Sequence, residues 1–123
     1  APEKESITIV FSSIQYLQFI RADFPDEAAE CIEIVCQCAR KLLQQHKGYE
    51  CEERDGGFML GFHSSQDAIL WALDLQEQLL EKEWPEAVLE HPACAMCMML
   101  DTVMFNGPRI KVGMATGSVI KKT

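Results

Sequence analysis

The chain has 123 residues, 48% of them hydrophobic and 24% charged, with a formal net charge of −8. That size and balance suit one globular domain with a real core, and an acid excess spread along the chain repels phosphate backbones, which excludes nucleic acid as a partner. No apolar run approaches the roughly 20 residues that cross a bilayer, and the polar start APEKES does not read as a leader.

The first element is a strand over about Ser6 to Ser13, inside the run ITIVFSSI, which is rich in β-branched residues. A short helix is expected from Ile14 to Asp23, closed by Asp23-Phe24-Pro25. Asp26 suits the N-cap of a long helix reaching about Lys47. Its apolar residues recur at three- and four-residue steps: Ala28/Ala29, Ile32, Val35/Cys36, Ala39, Leu42/Leu43 and His46. Gly48 then fits the C′ position. Gly48 to Phe62, GYECEERDGGFMLGF, reads as a hairpin turning at Asp55-Gly56-Gly57. Ser64 or Ser65 caps the next helix, which is expected to bury Ala68, Ile69, Ala72, Leu75/Gln76 and Leu79 and to end near Trp84-Pro85.

From Glu86 to Asn106 the pattern does not decide helix from strand, because the apolar part, Met96 to Phe105, is Met-rich. Asn106-Gly107 marks a turn and Pro108 cannot sit in a central strand. Lys111 to Thr116 reads as the last core strand. The order β-α-β-β-α-β predicts an α+β, ferredoxin-like fold: one domain over residues 1–123, with an antiparallel sheet and both long helices on one face.

Six cysteines raise the question of disulfides or zinc. Cys36 and Cys38 lie two apart in a predicted helix, so their side chains diverge by about 200° and cannot bridge. Cys94 and Cys97 have zinc-ribbon spacing, but no second pair follows and His91 is the one nearby candidate. Six reduced thiols serving as small apolar residues in a cytoplasmic protein are the plainer reading. His46, His63 and His91 fall on a helix end, a strand end and a loop and read as structural, and Trp71 and Trp84 suit packing.

The hairpin resembles that of the class III nucleotide cyclases, the adenylyl and guanylyl cyclases, whose pattern runs roughly Gly-Tyr-Glu-Val-Lys-Thr-x-Gly-Asp-x-Phe-Met-x-x-Phe. Gly48, Tyr49, Glu50, Phe58, Met59 and Phe62 match it without gaps. The first strand, ending Phe-Ser-Ser-Ile, is similar to the family's Phe-x-Asp-Ile. The stretch Gln66 to Leu89 resembles its Ala-rich helix, with Trp84-Pro85 as in fungal and protist adenylyl cyclases. Arg109 to Gly117, RIKVGMATG, is similar to its next core strand.

The resemblance implies a site built on two metal-binding aspartates, and both are replaced: one position holds Ser13 and the other Gly56. Two close carboxylates are what hold Mg²⁺ on a triphosphate, so no catalytic residue, metal ligand or cofactor is expected in this chain alone. Mg²⁺ or Mn²⁺ would bind only if a competent partner supplied ligands. Asp55 could stand in for the missing aspartate after a register shift, although Asp-Gly is also a favoured turn pair. Glu52 falls where the family reads the base, and a carboxylate there suits guanine's paired donors; a solvated charge run is the plainer explanation. The family's downstream region, with a second base-reading Asp and a transition-state Asn and Arg, has no counterpart up to Thr123.

These features imply a cyclase homology domain, inactive alone, that pairs with another cyclase-like subunit or with itself in cyclic nucleotide signalling, without direct membrane contact. Phe58 or Met59, fringed by the acidic strand Glu50 to Asp55, is the expected contact, with weak self-association that salt strengthens. An active cyclase or nucleotide-binding module with unusual ligands, and a ferredoxin-like protein-interaction module, remain open as other functions.

Overall fold

Alternation in the first strand sets the layout. In the computed structural model, which describes residues 3–121 and the side chains of residues 6–118, strand β1 spans Glu3–Ile14. Thr8, Val10, Ser12 and Ile14 are buried on one face, while Phe11 and Ser13 are exposed on the other. On one side β1 pairs antiparallel with β3 (Gly57–Phe62), placing Val10 opposite Leu60 and Ser12 opposite Phe58. On the other it pairs antiparallel with β6 (Ile110–Lys121), placing Ile14 opposite Ile110. Strand β2 (Tyr49–Arg54) completes the hairpin with β3, giving the order β2-β3-β1-β6. This is the ferredoxin-like α+β sheet that the element order predicts.

Helices α1 (Leu17–Asp23), α2 (Pro25–Gln45) and α3 (Ser65–Leu80) cover the face that carries Val10, Leu60 and Phe62. The short helix starts three residues later than expected because Ser13 and Ile14 remain paired in the sheet with Lys111 and Ile110. The cap of α2 is Phe24, not Asp26: Pro25 takes the first helical position, where its fixed φ fits and its missing N–H costs nothing. Asp26 and Glu27 lie instead in the first turn, where the helix dipole favours acids. Cys31 and Cys38 join the buried stripe of α2, and Ala29 is exposed.

At the end of α2 the left-handed residue is Lys47, at φ 60°, rather than Gly48. Gly48 is still needed, because a Cβ there would collide with Leu43 and the Phe62 ring. Ser64 caps α3, its hydroxyl accepting the Asp67 N–H at 3.3 Å. Trp71 is fully buried and its indole N–H donates to the Ala39 carbonyl of α2 at 3.1 Å. Centring α3 on Trp71 turns Ile69 and Gln76, both expected inside, out of the core. Gln76 instead donates to the Ile110 carbonyl at 2.9 Å, at the start of β6.

The stretch that the sequence left undecided holds a short helix α4 (Glu86–Leu89) and a separate hairpin of β4 (Cys97–Met99) and β5 (Thr102–Phe105). Arg109 anchors its base, donating to the carbonyls of Ala93, Ala95 and Gly107 and lying 4.9 Å over the Phe105 ring. Trp84 is buried beside Gly107 and donates to the Leu79 carbonyl at 3.0 Å. Among the described residues, no helix is long and apolar enough to cross a membrane.

Because Trp71 fills the space between α2, α3 and the Phe62 ring, truncating it leaves a large cavity and removes an indole hydrogen bond. Trp71→Ala is expected to destabilise the domain by about 3–5 kcal/mol in a urea unfolding titration. A loss below about 1 kcal/mol would mean that the helices do not close around this ring.

Candidate functional site on the open sheet face

The sheet face turned away from the helices receives the other residue of each alternating pair. Phe11 and Ser13 come from β1, Glu52 and Arg54 from β2, Met59 from β3, and Lys111 from β6. Together they border a hollow of about 550 Å³. Ser13 lies directly opposite Lys111, and Phe11 opposite both Met59 and Gly113. Gly113 has nothing above it within 4 Å, so the sheet floor is bare there.

A bulge decides which acids reach this hollow. Glu50 pairs with Leu60 and Glu52 with Met59, so Cys51 is the extra residue. Glu52 and Arg54 therefore face the hollow, while Glu50 and Glu53 turn to the helix side. There Arg40 of α2 forks onto Glu50 at 2.9 and 3.1 Å and reaches Glu53 at 3.4 Å. The hydrogen bond from Arg40 holds the Glu50 carboxyl below the usual carboxylate range, and Glu50 raises the Arg40 pKa in turn. The acidic strand is thus split between two faces, and of the acids from Glu50 to Asp55 expected to fringe the contact, Glu52 alone borders the hollow.

The hairpin tip is a two-residue turn. Asp55 and Gly56 have φ of 51° and 80° between the paired residues Arg54 and Gly57, which is type I′ geometry. Glu53 accepts the Gly56 N–H at 3.0 Å and steadies the turn. The Asp55 carboxylate lies 3.4 Å from Arg21 of α1, so it belongs to the helix layer rather than the hollow. A Cβ on Gly56 would point at the Ile14 side chain, 2.8 Å away, with Ile32 beyond it.

Phe58 was expected to be half of the exposed contact. Its place opposite Ser12 puts it in the core, buried beneath the Arg40 guanidinium, which sits 5.5 Å from the ring centroid. Met59, one residue on, borders the hollow. Phe11, 54% exposed, and Tyr49, 41% exposed, are the large apolar residues of this face that sequence reading missed. Arg109 precedes β6 and reaches loop carbonyls, whereas Lys111 lies within the strand, opposite Ser13, and borders the hollow.

Among the described residues, no group of three or more His, Cys, Asp or Glu side chains could hold a metal ion. Cys94 is buried, Cys97 is exposed on β4, and His91 meets Asp23 at 3.1 Å, so the three do not form one site. Burial pushes the Cys31 thiol up to about 12 and the Cys36 thiol to about 11, and raises Cys38 and Cys94 as well. All four are packing residues at neutral pH. His46 ties α2 to α3 through Asp74 at 2.6 Å.

A depressed carboxyl pKa contributes stability above the unfolded-state value and loses it as pH falls through the folded-state value. Arg40→Ala should therefore lower stability near neutrality by up to about 1 kcal/mol, as an exposed pair allows. The gap from wild type should close in acid, when thermal unfolding is followed against pH. Gly56→Asp should cost about 1–3 kcal/mol from a left-handed backbone carrying a side chain, and should gain no Mn²⁺ binding in calorimetry, since the new carboxylate points at Ile14. Tight Mn²⁺ binding by that variant would show that the turn reorganises.

No family model matches the chain. An adenylate cyclase of Lachancea kluyveri is 30% identical over 118 residues, which is 95% of this chain and 6% of that protein. A putative serine/threonine-protein kinase/receptor of Acanthamoeba polyphaga mimivirus is 37% identical over 87 residues, or 65% of this chain and 5% of that protein. Among solved structures, an adenylate cyclase from Trypanosoma brucei in its monomeric state superposes with a TM-score of 0.79 at 26% identity, over 91% of this chain and 56% of that one. The monomeric guanylyl cyclase domain of the RhoGC fusion protein from Blastocladiella emersonii shares the fold, with a TM-score of 0.68 at 15% identity, over 97% of this chain and 64% of that one. The chain thus spans a small part of these sequence relatives and about 60% of these two solved chains. With the strand, hairpin and helix motifs in family order on the family fold, the chain belongs to the class III nucleotide cyclase superfamily as a degenerate catalytic domain.

Proposed function

We propose that residues 1–123 act as one unit, the non-catalytic half of a cyclase-like pair. The unit docks its open sheet face on another cyclase-like subunit, or on a second copy of itself, in cyclic nucleotide signalling in the cytoplasm. The observation that carries this reading is Ser13 facing Lys111 across β1 and β6. A neutral hydroxyl and a cation stand where a divalent metal needs carboxylates. Asp55 supports the same reading, since its carboxylate is engaged by Arg21. What survives of the site is its shape and its apolar border of Phe11 and Met59.

The charge on this face bears on the choice of partner. Glu52 is offset by Arg54 and Lys111, so two copies can approach here with little local repulsion. The net charge of −8 still opposes self-pairing at long range, and salt that screens it should strengthen the pair. The same cations favour a second reading. Lys111 and Arg54 could hold nucleotide phosphates without a metal, with Glu52 reading guanine.

Purified protein should make no cyclic nucleotide from ATP or GTP above background with either Mg²⁺ or Mn²⁺. Ser13→Asp combined with Gly56→Asp should not restore turnover, because the Gly56 position faces Ile14. Sedimentation should show weak association that increases with salt and falls about tenfold or more in Phe11→Glu with Met59→Glu. Turnover by the unmodified chain would overturn the reading. A strict monomer that also fails to bind a competent cyclase domain would overturn the pairing. A thermal shift with GTP in the absence of metal, lost in Lys111→Ala, would establish the second reading.

A further inference from the structure

Helix α3 carries two apolar rows. One row, Ala68, Trp71, Ala72, Leu75 and Leu79, is buried in the core. The other, Ile69, Leu70 and Leu73, lies outside it, with Leu73 60% exposed. Leu73 opens onto a groove of about 600 Å³ between the C-terminal half of α3 and the segment from Met104 to Arg109. Leu73, Leu80, Met104, Phe105 and Pro108 give it apolar walls. None of its lining residues borders the Ser13–Lys111 hollow.

Three features point to the occupant. The first is flexibility of the apolar surface: five of the six methionines, at positions 96, 98, 99, 104 and 114, are exposed, and four of them lie on or beside the β4–β5 hairpin. Methionine side chains repack around varied apolar ligands. The second is an unmet hydrogen bond. Asn106 lines the groove and donates to the Leu80 carbonyl at 3.2 Å, while its Oδ1 is buried with no hydrogen-bond partner. Such an acceptor is costly until a donor arrives.

The third feature is charge. Helix α3 has no lysine or arginine from Ser65 to Leu80, and Glu77 lines the groove with Glu81 just beyond. The cation in the groove wall, Arg109, is engaged by three backbone carbonyls and the Phe105 ring. An apolar trough with an acidic rim repels a second copy of a chain with net charge −8 and repels an anionic lipid surface alike.

We propose that this groove docks a basic amphipathic helix of a partner protein. Apolar residues at i, i+3, i+4 and i+7 of that helix fill the trough between Leu73 and Phe105. Lysine or arginine residues on its flank meet Glu77 and Glu81. The site lies apart from the sheet-face hollow and does not depend on the cyclase-half reading.

The test is a titration of the ¹⁵N-labelled full chain with a synthetic helical peptide bearing leucines on one face and lysines on the flanks. Two controls share its length: one with glutamates for the lysines, and one scrambled so that no apolar face forms. Amide shifts should cluster in Leu73 to Leu80 and Met104 to Arg109, and affinity should fall as salt rises. Leu73→Glu and Glu77→Lys, both at exposed positions, should each weaken binding about tenfold with unchanged circular dichroism. Shifts scattered over the acidic surface, or equal binding by Leu73→Glu or by either control peptide, would overturn the proposal. Concentration-dependent shifts at the groove without peptide would make a second copy the occupant. Vesicle binding to phosphatidylserine, lost in Leu73→Glu, would make it a membrane; either result replaces the proposal.

Discussion

The two-faced pattern of β1 is the constraint on which everything else depends. This strand is central, bonded to β3 on one side and β6 on the other, so its alternation is imposed on both neighbours through fixed register. Val10 with Leu60, and Ile14 with Ile110, commit one face to the helices. The same register commits Phe11, Ser13, Met59 and Lys111 to the other. Slipping the β1–β6 pairing by a single residue would bury Lys111 and expose Ile110, which burial free energy forbids. The site is therefore a by-product of core formation: it keeps its shape whether or not chemistry survives there.

That separation lets residues of the open face change while the domain remains folded. Ser13 is exposed and makes no contribution to the core, so substitution there costs little stability. Gly56 is different. Its positive φ and the Ile14 side chain beside it suit a tight type I′ turn with no side chain. The turn has been optimised for closing a hairpin, with Glu53 bonding the Gly56 N–H and Arg21 taking the Asp55 carboxylate. Arg40 draws Glu50 and Glu53 to the helix side, so most of the acidic strand has become a stabilising clasp on α2.

The helix layer shows a complementary logic. Trp71 and Trp84 occupy the volumes that fix α3 against α2 and against the Gly107 turn, and both indole N–H groups are bonded to carbonyls. Setting α3 by these two rings leaves its Ile69–Leu70–Leu73 row outside the core. Arg109 holds the β4–β5 hairpin beside that row. The outcome is an apolar groove with an acidic rim, separate from the sheet-face hollow, on a domain whose two surfaces can therefore act independently.

The sequence by itself determined the order of the core elements, the ferredoxin-like arrangement and a serine cap at 64 or 65 for α3, because periodicity and capping are local properties. It also carried the family resemblance, since motif order is linear. Only the tertiary structure decided which acids reach the hollow: the bulge at Cys51 depends on how β2 lies on β3. It likewise placed Phe58 in the core and Met59 outside, and set Lys111 opposite Ser13. It also resolved the Met-rich segment as a hairpin held by Arg109. Those outcomes follow from register and from contacts between residues far apart in the chain, and no short window of sequence contains them.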